Sequence, residues 1–219
     1  MTPPLLAIGN KTYSSWSLRP WIFLKHHGID FEELRIPLYM PGSKERILAY
    51  SPAGKLPILV DGKIIVHDSY AILEYLVERY PQTQGWPVAS ATRAVARSIC
   101  AEMHSGFTAL RQHLSMNVRK QFEAREWPAD VQADIDRIQT IWRTCRQRHG
   151  RNGPFLFGRF GIADAMYAPV VWRFAGYSVE LDQTAEDYCA AMLSLPAMRE
   201  WQAGAFAEQE VLPQFEFQP

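Results

Sequence analysis

The 219-residue sequence predicts an α/β domain with a mixed sheet, followed by a domain built of helices alone. Three observations predict it. Over the first eighty residues, short strand-like apolar runs alternate with helix-like stripes. An Asp61-Gly62 pair stands between two of those runs, the pattern of a tight hairpin. Beyond residue 87 the strand patterns cease, and apolar residues recur at steps of three and four.

Leu5-Leu6-Ala7-Ile8, ended by Gly9-Asn10, reads as a buried strand. Residues 17–27 place Leu18, Trp21, Ile22 and Leu24 on one helical stripe that Gly28 stops. Phe31, Leu34, Ile36 and Leu38 outline a second strand, closed by Pro41-Gly42, and 44–50 reads as a short polar helix. The runs 57–60 and 63–66 form the hairpin. Ser69 then opens a helix whose apolar members, Ala71 to Tyr80, hold a 3–4 period up to Pro81. A strand–helix–strand start implies a parallel pair, and the hairpin adds antiparallel strands. That order is the thioredoxin fold.

Residues 1–81 are thus expected to form a thioredoxin-like domain, with 81–87 as linker and 88–219 as an all-α bundle of five or six helices. Val95, Ile99, Met103, Phe107, Leu110 and Leu114 predict one long helix, and Val131, Ile135, Ile138, Trp142 and Cys145 another. Three more are expected at 162–175, 184–193 and 196–209.

Composition narrows the partners. Lys and Arg (23) balance Asp and Glu (23), whereas a polyanion-binding surface carries a basic excess, so nucleic acid is not expected. No apolar run reaches the roughly 20 residues of a membrane span, and the Met1-Thr2-Pro3-Pro4 start lacks the order of a secretion signal. Cys100, Cys145 and Cys189 are odd in number and far apart. They fit no disulfide framework or cysteine-rich zinc site, and they suit a reducing cytoplasm as small buried apolar residues. No metal is expected.

Three constellations in the first domain carry possible chemistry. Tyr13-Ser14-Ser15-Trp16-Ser17-Leu18-Arg19 lies at the first strand-to-helix turn. Its serines serve either as helix caps or as hydroxyls at the carboxyl end of the sheet, where open α/β sheets bind ligands. No Gly-x-Gly-x-x-Gly or Gly-Lys-Ser/Thr pattern accompanies them, which disfavours a nucleotide. Lys55-Leu56-Pro57 precedes a strand; Pro57 is either edge punctuation or a cis proline that offers the Leu56 backbone to an extended peptide. Asp68-Ser69 begins a helix, either as a cap or as a seat for the carboxylate and ammonium of an α-amino acid.

Order and spacing together resemble the cytosolic glutathione transferases, along nearly the whole chain. Ser14-Ser15-x-Ser17-x-Arg19 is similar to the serine motif of the zeta class, Leu56-Pro57 to the family's Val-Pro, and Asp68-Ser69 to its acidic-Ser pair. Phe160-Gly161-Ile162-Ala163-Asp164 is similar to the family's Ser/Thr-x-x-Asp capping motif. Gly161 replaces the Ser/Thr, and Trp16 stands where zeta enzymes carry cysteine, which weighs against isomerisation of maleyl compounds.

The resemblance implies the glutathione transferase fold, an electrophile cleft between the domains, a homodimer, and glutathione as co-substrate. It implies glutathione binding by Ser14, Ser15, Lys55, Leu56, Pro57, Asp68 and Ser69, with Ser14 as the donor that keeps the thiol ionised and Ser15 assisting. Tyr13 is the alternative donor. Trp16, His104, Phe107, Thr108 and Arg111 are candidate walls for a small-molecule electrophile, with Met116 as a further apolar one. Arg19 is expected to be structural, at the domain interface.

Overall fold

The computed structural model describes residues 2–216. Its elements run β1 (Leu5–Ile8), α1 (Ser15–His26), β2 (Glu32–Arg35), α2 (Ser43–Leu48), β3 (Ile58–Asp61), β4 (Ile64–His67) and α3 (Ser69–Arg79). The helical part follows as α4 (Ser90–Ser105), α5 (Thr108–His113), α6 (Ala129–His149), α7 (Ile162–Gly176), α8 (Gln183–Ser194) and α9 (Pro196–Ala207). The four strands lie in the order β2-β1-β3-β4, parallel for β1 with β2 and antiparallel elsewhere. This is the mixed sheet expected from a crossover followed by a hairpin.

Side-chain alternation along the strands assigns two cores. Leu6 and Ile8 of β1 and Leu59 of β3 join the main core with α1, α3 and the helical part. Their neighbours Ala7 and Ile58 face the other way and pack with Ile36 and with Ile47 of α2. Helix α1 packs against α3, α7 and α9, which joins the α/β part to the bundle. Helix α7 is the axis of that bundle: every residue except Ala175 is buried.

The start of α7 departs from the capping pattern for a steric reason. Asp164 accepts from the Gly161 amide at 2.9 Å, but no hydroxyl stands at Gly161 to reciprocate. The carbonyl of Gly85 in the linker serves a different donor of this helix start, accepting from the Ile162 amide at 2.9 Å. A Cβ on Gly161 would sit 2.6 Å from that same oxygen. Gly161→Ser, which restores the family pattern on paper, is therefore expected to destabilise the chain by about 1–3 kcal/mol through overpacking. A rise in thermal midpoint for this variant would overturn that account.

The long helix expected over 95–114 is two helices. Phe107 adopts φ 59°, a left-handed conformation that breaks the run between α4 and α5. Arg111 holds the break by donating to the Gly106 carbonyl at 3.0 Å and to the Met103 carbonyl. The 3–4 period persists across the break, with Met103, Phe107, Leu110 and Leu114 all in the core, so periodicity alone reads it as continuous.

Candidate active site

Strand register gathers the three constellations. Ile8 pairs with Arg35, Ala7 with Ile58, and Ile58 with His67. The carboxyl ends of β1, β2 and β4 and the amino end of β3 therefore share one end of the sheet. The Ser14-Ser15 turn follows β1, Pro57 precedes β3, and Asp68-Ser69 follows β4. The Leu56–Pro57 bond is cis. Pro57 is buried, Leu56 is partly exposed and Lys55 is exposed beside them.

Ser14 occupies the N-cap position of α1 but makes no capping bond. Its hydroxyl lies 2.7 Å from that of Ser17, which is fully buried and in turn accepts from the Gly9 amide at 3.1 Å. Gly9 makes this turn possible, since a Cβ there would lie 2.9 Å from the Leu38 side chain and 3.1 Å from Cβ of Ser14. Ser15, the first residue of α1, is also buried. Both serines sit at the positive end of a three-turn helix.

Next along α1, Trp16 is clasped by two cations. The Arg19 guanidinium lies 4.2 Å and that of Arg111 4.9 Å from its ring, and the His104 ring meets it edge-on at 5.3 Å. Arg19 is 1% exposed, donates to the Ser69 hydroxyl at 3.3 Å, and leaves Nε without a partner. Burial, followed by the charge of Arg111, pulls the Arg19 guanidinium down to about 9. It still carries its charge at neutral pH, without an ion pair among the described residues. Arg19 thus bonds Ser69 of α3 and shares the Trp16 ring with Arg111 of α5.

The cap of α3 is Asp68, whose carboxylate accepts from the Tyr70 amide at 2.8 Å, and Ser69 is the first helical residue rather than the cap. Asp68 is held at φ 73°, a conformation that costs a non-glycine residue about 1–3 kcal/mol and clusters at ligand clamps. Its other oxygen lies 3.5 Å from Nε2 of His104. Burial holds the His104 imidazole below its usual value, against the opposing pull of Asp68.

Two expected wall residues fall elsewhere. Phe107 is 6% exposed within the core, and Met116 is 2% exposed. The left-handed turn at 107 directs that side chain into the packing, whereas Thr108 is exposed as the first residue of α5. Trp16, His104 and Arg111 are the candidates that come together.

Tyr13 is committed to the end of the chain. Its hydroxyl donates to Glu216 and accepts from Arg119 at 2.9 Å and from the Leu212 amide at 3.2 Å. Burial and the Glu216 carboxylate raise its pKa, the opposite of what a thiol-activating phenol needs. All three cysteines are free and buried, with burial pushing Cys145 and Cys189 up to about 12. Among the described residues no cluster of His, Cys, Asp or Glu is placed to hold a metal ion, and no helix is long and apolar enough to cross a membrane.

Residues 13–79 match the family model for the glutathione S-transferase N-terminal domain, and residues 89–201 match the model for its C-terminal domain. The chain belongs to the glutathione S-transferase family. Among curated members of that family, a probable maleylacetoacetate isomerase of Caenorhabditis elegans is 31% identical, over 81% of this chain and 82% of its own. A zeta class glutathione S-transferase of Euphorbia esula is 28% identical over 75% of this chain and 71% of its own. The fold is shared with a glutathione transferase homolog from Burkholderia gl BGR1, solved with bound glutathione, at TM-score 0.71 and 21% identity, covering 94% of this chain and all of that one.

Sequence reasoning did not foresee the clasp on the chain's first loop by residues far along the chain. Glu208 and Arg119 lie 196 and 106 positions from their partners Thr12 and Tyr13, and no local pattern signals a pairing at that range.

Proposed function

We propose that the chain binds glutathione at the gathered end of the sheet and adds its thiolate to small hydrophobic electrophiles in the cytoplasm, as a serine-type glutathione transferase. The observation that carries this reading is the convergence of the Ser14-Ser15 turn, the cis Leu56–Pro57 segment and the Asp68-Ser69 helix start. In this reading 1–81 is the glutathione domain and 88–219 supplies the electrophile side, with a homodimer as the working form. Lys55 and the Leu56 backbone flank the extended peptide. The Ser69 amide and hydroxyl take the γ-glutamyl carboxylate, and Asp68 takes its ammonium.

A thiol of pKa about 8.5 is only about 3% ionised at pH 7. Lowering that value by about 2 units makes roughly three-quarters of it thiolate and needs about 2.7 kcal/mol of preferential anion stabilisation. A hydroxyl donor to the charged sulfur contributes about 1.5–3 kcal/mol. The positive end of α1 adds about 0.3–1 kcal/mol. Hydroxyl hydrogens rotate, so Ser17 can donate to Ser14 while Ser14 donates to sulfur. The Gly9 amide then heads a chain of aligned hydrogen bonds ending on the thiolate.

Conjugation and isomerisation share their first step. The thiolate attacks an electrophilic carbon to form a C–S bond. A conjugate keeps that bond, either because a leaving group such as chloride departs with its electron pair or because the carbanion formed by addition takes a proton from water. With a conjugated cis alkene, the adduct rotates, the sulfur departs with its electron pair, and the trans alkene is released with glutathione unchanged. The names of the relatives favour the second outcome, and Trp16 in place of cysteine favours the first. Arg19 and Arg111 around Trp16 favour an electrophile that is anionic or becomes so on attack.

Calorimetry with glutathione, followed by assays with a chloronitroarene and with a maleyl compound, tests the reading. Uptake with turnover of either substrate is expected. Uptake without turnover would make the chain a binding protein, and no uptake by folded protein would sink the site altogether.

A further inference from the structure

The turn that presents Ser14 has its first two amides held by a single side chain from the far end of the molecule. Within the 10–14 turn, the amides of Tyr13 and Ser14 fold back onto the Asn10 carbonyl at 3.2 and 2.8 Å. The preceding two have no such local partner. The Lys11 amide donates to Oε1 of Glu208 at 2.6 Å, and the Thr12 amide to Oε2 at 3.0 Å. The Thr12 hydroxyl reaches Oε2 at 2.8 Å, and Arg35 approaches Oε1 at 3.6 Å. Successive amides converging on one carboxylate form an anion nest, and charge-assisted bonds of this kind are about twice as strong as neutral ones.

The Glu208 side chain is only 4% exposed, so water does not compete for these donors. Its own backbone is pinned as well: Arg119 donates to the Glu208 carbonyl at 2.7 Å, to the Glu210 carbonyl at 2.9 Å and to the Tyr13 hydroxyl at 2.9 Å. The Thr12 carbonyl accepts from Val118 at 3.1 Å. The segment after α9 and the segment after α5 thus grip the loop between β1 and α1 from two sides.

We propose that Glu208 is a positioning residue for thiolate formation, because its carboxylate fixes the Lys11-Thr12 turn and thereby the place of the Ser14 hydroxyl relative to the bound sulfur. The inference rests on the proposed glutathione chemistry for its functional half. A donor displaced by about 1 Å costs up to about a hundredfold in rate. The clasp therefore acts on reactivity more than on affinity, since the γ-glutamyl end is held separately at α3.

The test compares the full-length chain with its Glu208→Ala and Glu208→Gln variants. Hydrogen exchange at the Lys11 and Thr12 amides needs no substrate and is expected to quicken at least about tenfold in Glu208→Ala. The thiol of bound glutathione, titrated by its ultraviolet absorbance, is expected to rise by about one pKa unit, with kcat falling and the glutathione Kd nearly constant. Glutamine keeps one accepting oxygen but turns an NH2 toward an amide donor, so its effects fall between. Thr12→Val serves if neither variant folds, since it removes one donor to the carboxylate and should move both readouts in the same direction.

Unchanged exchange would overturn the clasp. Faster exchange with an unchanged thiol titration would overturn the positioning role, leaving Glu208 merely structural. If the wild type itself takes up no glutathione, the proposed function and the positioning role both fail, and the exchange measurement still decides whether Glu208 holds the turn.

Discussion

Ser14→Ala is expected to raise the pKa of the bound thiol by about 1–2 units, the equivalent of losing one donor worth about 1.5–3 kcal/mol to the charged sulfur. From a starting value near 6.5, the thiolate fraction at pH 7 then falls by about 3- to 25-fold, and kcat/KM falls with it. Above about pH 9 the deficit largely disappears, because even the unassisted thiol is ionised there. That convergence distinguishes lost ionisation from lost binding, which lowers the rate at every pH. Ser17→Ala removes the hydroxyl that supports Ser14 and is expected to shift the profile in the same direction by less. Tyr13→Phe is expected to leave the profile unmoved, since that hydroxyl is spent on Arg119, Leu212 and Glu216. A normal profile in Ser14→Ala together with a displaced one in Ser15→Ala would transfer the role to Ser15.

Asp164→Ala is expected to cost about 3–5 kcal/mol, because each buried donor it leaves without an acceptor costs about 1–3 kcal/mol. The Asp164 carboxylate is 1% exposed and accepts from the Leu156 amide at 3.0 Å, the Gly161 amide at 2.9 Å and the Tyr188 hydroxyl at 3.1 Å. Without it, three donors, two in the connection before α7 and one on α8, are left unpaired where water does not reach. For a chain of this size the loss lowers the thermal midpoint by roughly 10 °C.

The same residue makes stability depend on pH with a definite sign. Burial lifts Asp164 from 3.8 to about 6, outweighing the hydrogen bonds that pull it down. The folded chain therefore holds this proton more tightly than the unfolded one. The cost of ionising it is absent below about pH 4, grows as pH rises, and is complete above about pH 6, reaching about 3 kcal/mol. Asp164→Asn has no such proton to lose. The gap in unfolding free energy between wild type and this variant is thus expected to narrow from pH 4.5 to pH 7, and a pH-independent gap would refute the assignment.

Much of the fold is legible because its signals are local. The apolar run Leu5–Ile8 reads as a buried strand and forms one, with its two faces packed in different cores. Asp61-Gly62 turns one strand into two, with Gly62 at φ 60°. The three constellations are legible for a similar reason, since strand ends and helix starts are where unpaired amides and hydroxyls collect. The break at Phe107 is not, because the core positions keep their helical spacing on both sides and only the backbone torsion betrays the change.

The sequence by itself determined the element order of the first part, the helical character of the second and the serine, proline and acidic-serine segments, because each rests on interactions within a few residues of chain. Only the tertiary structure decided which groups meet. The Gly85 carbonyl fills the space a side chain at Gly161 would need, Arg19 and Arg111 close on Trp16, and Glu208 completes the hydrogen bonding of a turn nearly two hundred residues away. The physical reason is that a buried donor accepts any partner of the right geometry, and packing, not proximity along the chain, brings that partner within reach.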